Sequence, residues 1–286
     1  MAFPYQLINF TLADATQVMA NFNYLLTNGA TFINPSAVPT TVGGISAGST
    51  FSTAQTMQQM WNALLYPYQA PGFTSFGITG VAGSVEVGYS FGPSATFTWS
   101  TSNSGNVTAN TIGLTDTTLS TTIATAQANS GSYAAALAGA VTSTVAGSHT
   151  FGISGTNSQA GTFNGSFTVS WFWRLYYGVQ AASSLTAAQI LALAANQLAS
   201  SYGGTYSMGA SGYKYLCLAD AAGGQLNTVK DQSTGFNVPM NTGTFTDGGG
   251  FGYEKVSVTN AQSVTTLVRV YRTLNNLGGA VTLVVT

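Results

Sequence analysis

From Phe163 to Tyr177 the chain reads FNGSFTVSWFWRLYY. Its odd positions, Phe163, Gly165, Phe167, Val169, Trp171, Trp173, Leu175 and Tyr177, form an almost unbroken apolar row. The even positions begin polar at Ser166, Thr168 and Ser170 and turn mixed at Phe172, Arg174 and Tyr176. Successive side chains of a strand point to opposite faces, so this period of two predicts a β-strand with one buried face. The stretch is about twice the usual five to six residues of a strand. A strand of that length is expected to serve two packed modules in succession.

Composition changes inside the same stretch. Residues 1–173 carry Asp14, Glu86 and Asp116 but no Lys or Arg, and Arg174 is the first of six basic residues. Only 5% of the 286 residues are charged, against about 25% in an average soluble protein. With 12% aromatic residues the chain is not of the disordered kind. Gly, Ala, Ser and Thr set among Val and aromatics favour strands joined by tight turns. Nucleic-acid binding needs clustered Lys and Arg, and no cluster exists here. Few charges also mean weak repulsion between copies, which points to self-association.

Cys217 is the single cysteine, so no intrachain disulfide is possible. MAFPYQLINF lacks the basic start and apolar core of a secretory signal, and no run of about eighteen apolar residues exists to cross a bilayer. The expectation is a chain that is neither secreted nor inserted in a membrane.

A first helix is expected from about Asp14 to Thr27, closed by Asn28-Gly29. Ala15, Val18, Phe22 and Leu25 recur at 3-4-3 spacing, the seam of a helix that packs on other helices. A helix this short needs a surface to lie on, supplied by its own chain or by a partner. Residues 30–50 read as an extended linker, oddly apolar at Phe32, Ile33, Val38, Val42 and Ile45, as if laid along a neighbouring surface. Val18, Phe22, Leu25, Phe32 and Ile33 are therefore the candidate assembly residues. A second helix is expected over Thr53–Leu65, with Ser52 and Gln55 as its capping box.

Strand patterns follow at Val85–Phe91, Ala95–Ser100 and Val107–Leu114, and in parts of 117–126, 132–140 and 147–155. Ending in the long strand, they suit a β-sandwich of about immunoglobulin size. The remainder opens with an expected helix at Leu185–Ala199, with Thr186 and Gln189 spaced as a capping box. Strands are expected at Thr205–Met208, Tyr213–Ala219, Gly235–Met240 and Glu254–Thr259. A closing hairpin should pair Val264–Thr273 with Ala280–Thr286. The fold class is thus mainly β: an N-terminal helix and extended segment (1–50), then two immunoglobulin-like β-sandwich domains (51–177 and 178–286), each preceded by a short helix.

Catalytic chemistry finds little material. His149 is the single histidine, and a surface or packing role outweighs a Ser-His-Asp system there. One histidine and one cysteine cannot make the usual zinc site, so no metal or cofactor is expected. Asp220, Asp231, Asp247 and Glu254 could supply the two carboxylates of a glycosidase, but the three Asp residues stand in turn-like sequence. The expectation is a protein that is not an enzyme. The loop Asn241–Tyr253 (NTGTFTDGGGFGY) is the candidate binding surface, with Phe245, Asp247, Phe251 and Tyr253 as possible receptor contacts through ring stacking and polar pairing.

ADATQVMANFNYLLTNG resembles a helix found near the N-termini of many phage fibre and virion proteins, and FSTAQTMQQMWNALLYPYQAPGFTSF resembles a module preceding immunoglobulin-like domains in phage tail and fibre components. The ending VSVTNAQSVTTLVRVYRTLNNLGGAVTLVVT is similar to C-terminal domains of the same kind. The resemblance to tailed-bacteriophage structural proteins covers about a third of the chain and carries no catalytic motif. It implies a virion location, a homotrimer, and partners among tail, neck or capsid proteins. The implied role is a fibre or fibre-like appendage docked through the N-terminal segment. The alternative is an adhesin that recognises host surface polysaccharide through its last domain. A depolymerase is disfavoured by the few carboxylates and by the absence of repeats.

Overall fold

The computed structural model describes residues 57–65, 67–241 and 243–286, together with Ala20 and Ile45. The chain divides into two units, Met1–Pro71 and Gly72–Thr286. In the first, helix α1 (Met57–Leu65) occupies the end of the expected second helix, with Trp61 and Leu65 exposed. Apart from Ala20 and Ile45, the expected first helix and the extended segment lie outside the described residues, as do all the candidate assembly residues Val18, Phe22, Leu25, Phe32 and Ile33.

The second unit is mainly β. Its first strands are β1 (Gly72–Ile78), β2 (Ser84–Glu86), β3 (Ser90–Phe91), β4 (Ser94–Ser102), β5 (Ile112–Asp116), β6 (Thr121–Gln127), β7 (Gly131–Ala136), β8 (Val141–Thr142) and β9 (Gly147–Thr156). The alternating stretch becomes β10 (Thr162–Gln180), a single strand of 19 residues. After it come helix α2 (Ala187–Leu191) and strands β11 (Ala195–Ala199), β12 (Gly204–Met208), β13 (Tyr213–Ala219), β14 (Val229–Asp231), β15 (Phe245–Thr246), β16 (Gly252–Thr259), β17 (Thr265–Arg272) and β18 (Val281–Val285).

Strand β10 changes partners halfway along. Thr162–Trp171 pairs antiparallel with β9, Ser170–Phe172 pairs parallel with β2, and Trp173–Gln180 pairs with β11 and β13. A ten-stranded sheet results, running β15-β16-β17-β13-β10-β9-β5-β6, with β11 and β2 also held on β10. Two three-stranded sheets, β1-β4-β7 and β12-β18-β14, and the pair β3-β8 complete the unit. The expected boundary at residues 177/178 falls inside β10.

The odd face of β10 carries the main core, as its period of two requires. Val169, Trp171, Trp173 and Leu175 are buried there in one apolar cluster. From the sheet β1-β4-β7 come Phe97 and Trp99, with Phe97 edge-on to Phe151 of β9 at 5.2 Å between centroids. From the sheet β12-β18-β14 come Tyr206, Leu283 and Val285, with Tyr206 against Tyr177 at 4.9 Å. A second cluster lies on the other face of β13, β16 and β17, where α2 and its flanks bring Leu185, Ile190 and Leu193 over Cys217, Val258, Val268 and Val270.

The scarcity of charge is met by hydroxyls. Thr150 faces Thr168 at 2.9 Å, Thr259 faces Thr265 at 2.7 Å and Thr228 faces Thr286 at 2.7 Å, each pair on exposed sheet surface. Such cross-strand hydrogen bonds do for a neutral sheet what opposite charges do elsewhere. The first basic residue has a structural task. Arg174 reaches Glu86 of β2 at 3.3 Å from Nε, and its Nη1 donates to Asn196 of β11 at 2.5 Å. It ties three strands together where β10 exchanges partners.

Four expectations need correction. The helix expected over Leu185–Ala199 stops at Leu191, and Ala195–Ala199 is a strand on β10. Each ladder hydrogen bond is worth about 0.5–1.5 kcal/mol, more than the few tenths per residue of helix propensity that it overrides. The closing hairpin does not form, because β17 pairs with β13 and β16 while β18 pairs with β12 and β14 in another sheet. Gly235–Met240 makes only isolated bridges, consistent with the missing N–H of Pro239. Val85–Phe91 is broken into β2 and β3 at Gly88, whose φ of +94° suits glycine and where a Cβ would stand 2.5 Å from Val264.

Candidate functional site

Strands β13, β17 and β16 lie side by side, and their registers place Tyr215 opposite Arg272, and Val270 between Cys217 and Glu254. These residues share the face that carries the second core. Beyond the cover of α2 the face opens into a pocket of about 290 Å³. Leu185, Tyr215, Val256 and Val270 give it apolar surface, and Ser183, Ser184, Asn241, Glu254 and Arg272 supply polar groups.

Each polar wall is held in place by the local sequence. The Tyr215 hydroxyl donates to the carbonyl of Ala182 at 2.6 Å, which pins the segment leading to Ser183 and Ser184. Burial pushes this phenol up to about 12, so it stays a neutral donor. Thr186 then caps α2 by accepting from the Gln189 N–H at 3.3 Å, and the Gln189 side chain accepts from the Thr186 N–H at 2.9 Å. This is the capping box read from the sequence. On the other side the Asn241 N–H donates to the carbonyl of Arg272 at 2.8 Å.

The two charges of the pocket are oriented separately. The Arg272 guanidinium lies over the Tyr213 ring, 4.6 Å from its centroid, and Nη1 donates to the carbonyls of Thr273 at 3.1 Å and Leu274 at 3.4 Å. Among the described residues its Nε and Nη2 donate to no protein acceptor. Glu254 accepts from the backbone N–H of Thr244 at 3.0 Å and from its hydroxyl at 3.1 Å. The arrangement is a cation held over an aromatic ring with donors to spare, a fixed carboxylate lining the same pocket, and apolar side chains beneath.

The opposite face of the same strands carries most of the residues suspected from sequence. Phe245, 43% exposed, stacks on buried Tyr253 with centroids 5.7 Å apart and planes at 27°. The Lys255 ammonium lies 5.1 Å from the Phe245 ring centroid and donates to Asp220 at 2.7 Å. Arg269 joins the same carboxylate through Nε and donates to the carbonyl of Gly224 at 2.8 Å. Asp247 organises its own loop. Its Oδ1 accepts from the N–H groups of Gly249 and Phe251, and its Oδ2 from the Leu226 N–H and the Tyr271 hydroxyl, all within 3.0 Å. Phe251 packs half-buried against the main core. Phe245 and Tyr253 are brought together, then, while Asp247 and Phe251 build the turn behind them.

Elsewhere His149 Nε2 pairs with Asp116 Oδ2 at 2.8 Å, with the ring against Phe151 at 4.8 Å. Asp231 makes a turn by accepting from the N–H and the hydroxyl of Ser233, both at 2.8 Å. Among the described residues no three His, Cys, Asp or Glu side chains gather to hold a metal ion. Reading by sequence overlooked Arg272, Ser183 and Ser184, whereas Asn241 opens the loop suspected as a binding surface. Arg272 ends a strand, and its only sequence signal was being one of six cations in a charge-poor chain.

No family model matches this chain, and no curated protein matches it. Among solved structures, Streptomyces avermitilis α-L-rhamnosidase complexed with L-rhamnose is similar at 12% identity with a TM-score of 0.23. The similarity covers 76% of this chain and 23% of that enzyme's length. Likeness at that level carries no argument about fold or activity.

Proposed function

We propose that this chain is a structural protein of a tailed-bacteriophage particle, a fibre or fibre-like appendage. Its N-terminal segment docks on the particle and its β-rich remainder projects as two sandwich-like halves of immunoglobulin kind, three copies together. It works without catalysis or cofactor, and its partners are copies of itself and proteins of the tail, neck or capsid. The observation that supports this reading best is β10, one strand of 19 residues bonded along both halves of a charge-poor β body. Continuous backbone pairing of that kind suits a part that bears load, and the N-terminal resemblance to phage proteins agrees with it. Mass spectrometry of purified particles, with immunogold labelling, tests it. The chain is expected among the particle proteins with label at one kind of position. Its absence from particles, with the protein free in the lysate, contradicts the reading.

A second reading, attachment to a host surface glycan, is favoured by the pocket of Glu254 and Arg272. Both readings hold if the projecting part of the appendage also touches the host.

A further inference from the structure

We infer that the pocket between β16, β17 and the segment before α2 binds an acidic sugar, a ring with hydroxyls and a single carboxylate. The inference deepens the attachment reading and rests on it only for the source of the sugar. Three observations carry it.

Arg272 is a cation set up for a planar anion. Its guanidinium lies over the Tyr213 ring, 4.6 Å from the centroid, and two backbone carbonyls accept from Nη1, which together restrain it. Nε and Nη2 are left to donate together, and a carboxylate accepts from such a fork through two parallel hydrogen bonds. Holding the fork rigid in advance lowers the entropy lost on binding.

Glu254 narrows the choice of anion. Its carboxylate lines the same pocket and is fixed by Thr244. A doubly charged phosphate would meet that negative charge within the same pocket, whereas a monocarboxylate would meet it with neutral hydroxyls. Among the described residues Glu254 Oε2 accepts only from the Thr244 hydroxyl and so has a lone pair to accept a hydrogen bond from a ring hydroxyl. Ser183, Ser184 and Asn241 offer further donors and acceptors.

The floor suits a sugar ring. Half-buried Val256 and the edge of Val270 present apolar surface to ring C–H groups over buried Tyr215, and about 290 Å³ holds one ring rather than an oligosaccharide. Lys255 lines the pocket too, but its ammonium is committed to Asp220 on the other side of the sheet.

The test is titration of the full chain by isothermal calorimetry with D-glucuronate, D-galacturonate, methyl glucuronide, D-glucose and inorganic phosphate. At least one of the three sugar acids should bind, at least tenfold tighter than glucose or phosphate. Arg272→Gln should weaken that binding at least tenfold and Glu254→Gln severalfold, with Lys230→Gln unchanged. Ser184→Trp, at an exposed position, should block the mouth without altering the thermal midpoint, which keeps the test valid if Arg272→Gln unfolds. Equal affinity for glucose, preference for phosphate, or full binding by a folded Arg272→Gln or Ser184→Trp protein would overturn the site. Binding of methyl glucuronide supports a glycan-linked acid. Binding of the free acids alone supports the site while removing the attachment reading. A chain found on particles that binds none of the sugar acids sinks the site and leaves the structural role standing.

Discussion

Two side chains report on the interior with opposite chemistry. Cys217 is fully buried on the face beneath α2, and desolvation pushes its thiol well above the ordinary range. The native protein should give no reaction with a thiol reagent at pH 8 and one equivalent once unfolded in denaturant. Prompt labelling of native protein would show that the α2 cover opens readily. Asp220 is held below the ordinary carboxylate range by the Lys255 hydrogen bond first, then by Arg269, against the opposing effect of burial. A folded value below the unfolded one means that its contribution is complete above the unfolded value and is lost as pH falls through the folded one. Thermal melts should therefore show Asp220→Asn less stable at pH 7, with the difference shrinking as pH falls below about 4. A difference that grows in acid would contradict the pairing.

At the scale of elements, the pieces fixed by local chemistry were the legible ones. The Thr186–Gln189 capping box is present, and Thr186→Ala should cost about 1 kcal/mol in chemical denaturation. No change would mean that α2 is held by Ile190 and Leu193 alone. Strand β13 matches its expected span Tyr213–Ala219 to the residue, because its apolar run is bounded by turn chemistry. The alternating row of β10 was legible for the same reason. Pairing was not legible. Ala195–Ala199 has helix-forming composition and becomes a strand only because β10 offers a free edge from Trp173 to Tyr177. β17 and β18 look like a hairpin in sequence, yet β17 pairs with the preceding β16 and the distant β13, while β18 joins the distant β12 and β14 in another sheet. The candidate site was half legible. Phe245 and Tyr253 stood in a suspicious loop, whereas the Arg272 and Glu254 pocket depends on the register of three strands that no local pattern records.

The whole molecule turns on β10 and on what lies before Gly72. One apolar cluster runs along the odd face of β10 from Phe97 and Trp99 to Tyr206 and Leu283. Trp171→Ala, near the middle of that row, should cost about 3–5 kcal/mol and shift near-UV signals from both halves together. Two separated transitions in the parent protein would show instead that the halves fold independently. A body with so few charges and so many paired hydroxyls is proposed to exist as part of a larger object, joined through its N-terminal segment of about residues 1–50. Light scattering on the purified full chain tests that most directly. The account predicts a particle of three times the 29.4 kDa chain mass that falls to a single body when residues 1–71 are removed. A full chain that stays at one chain mass at high concentration would contradict it.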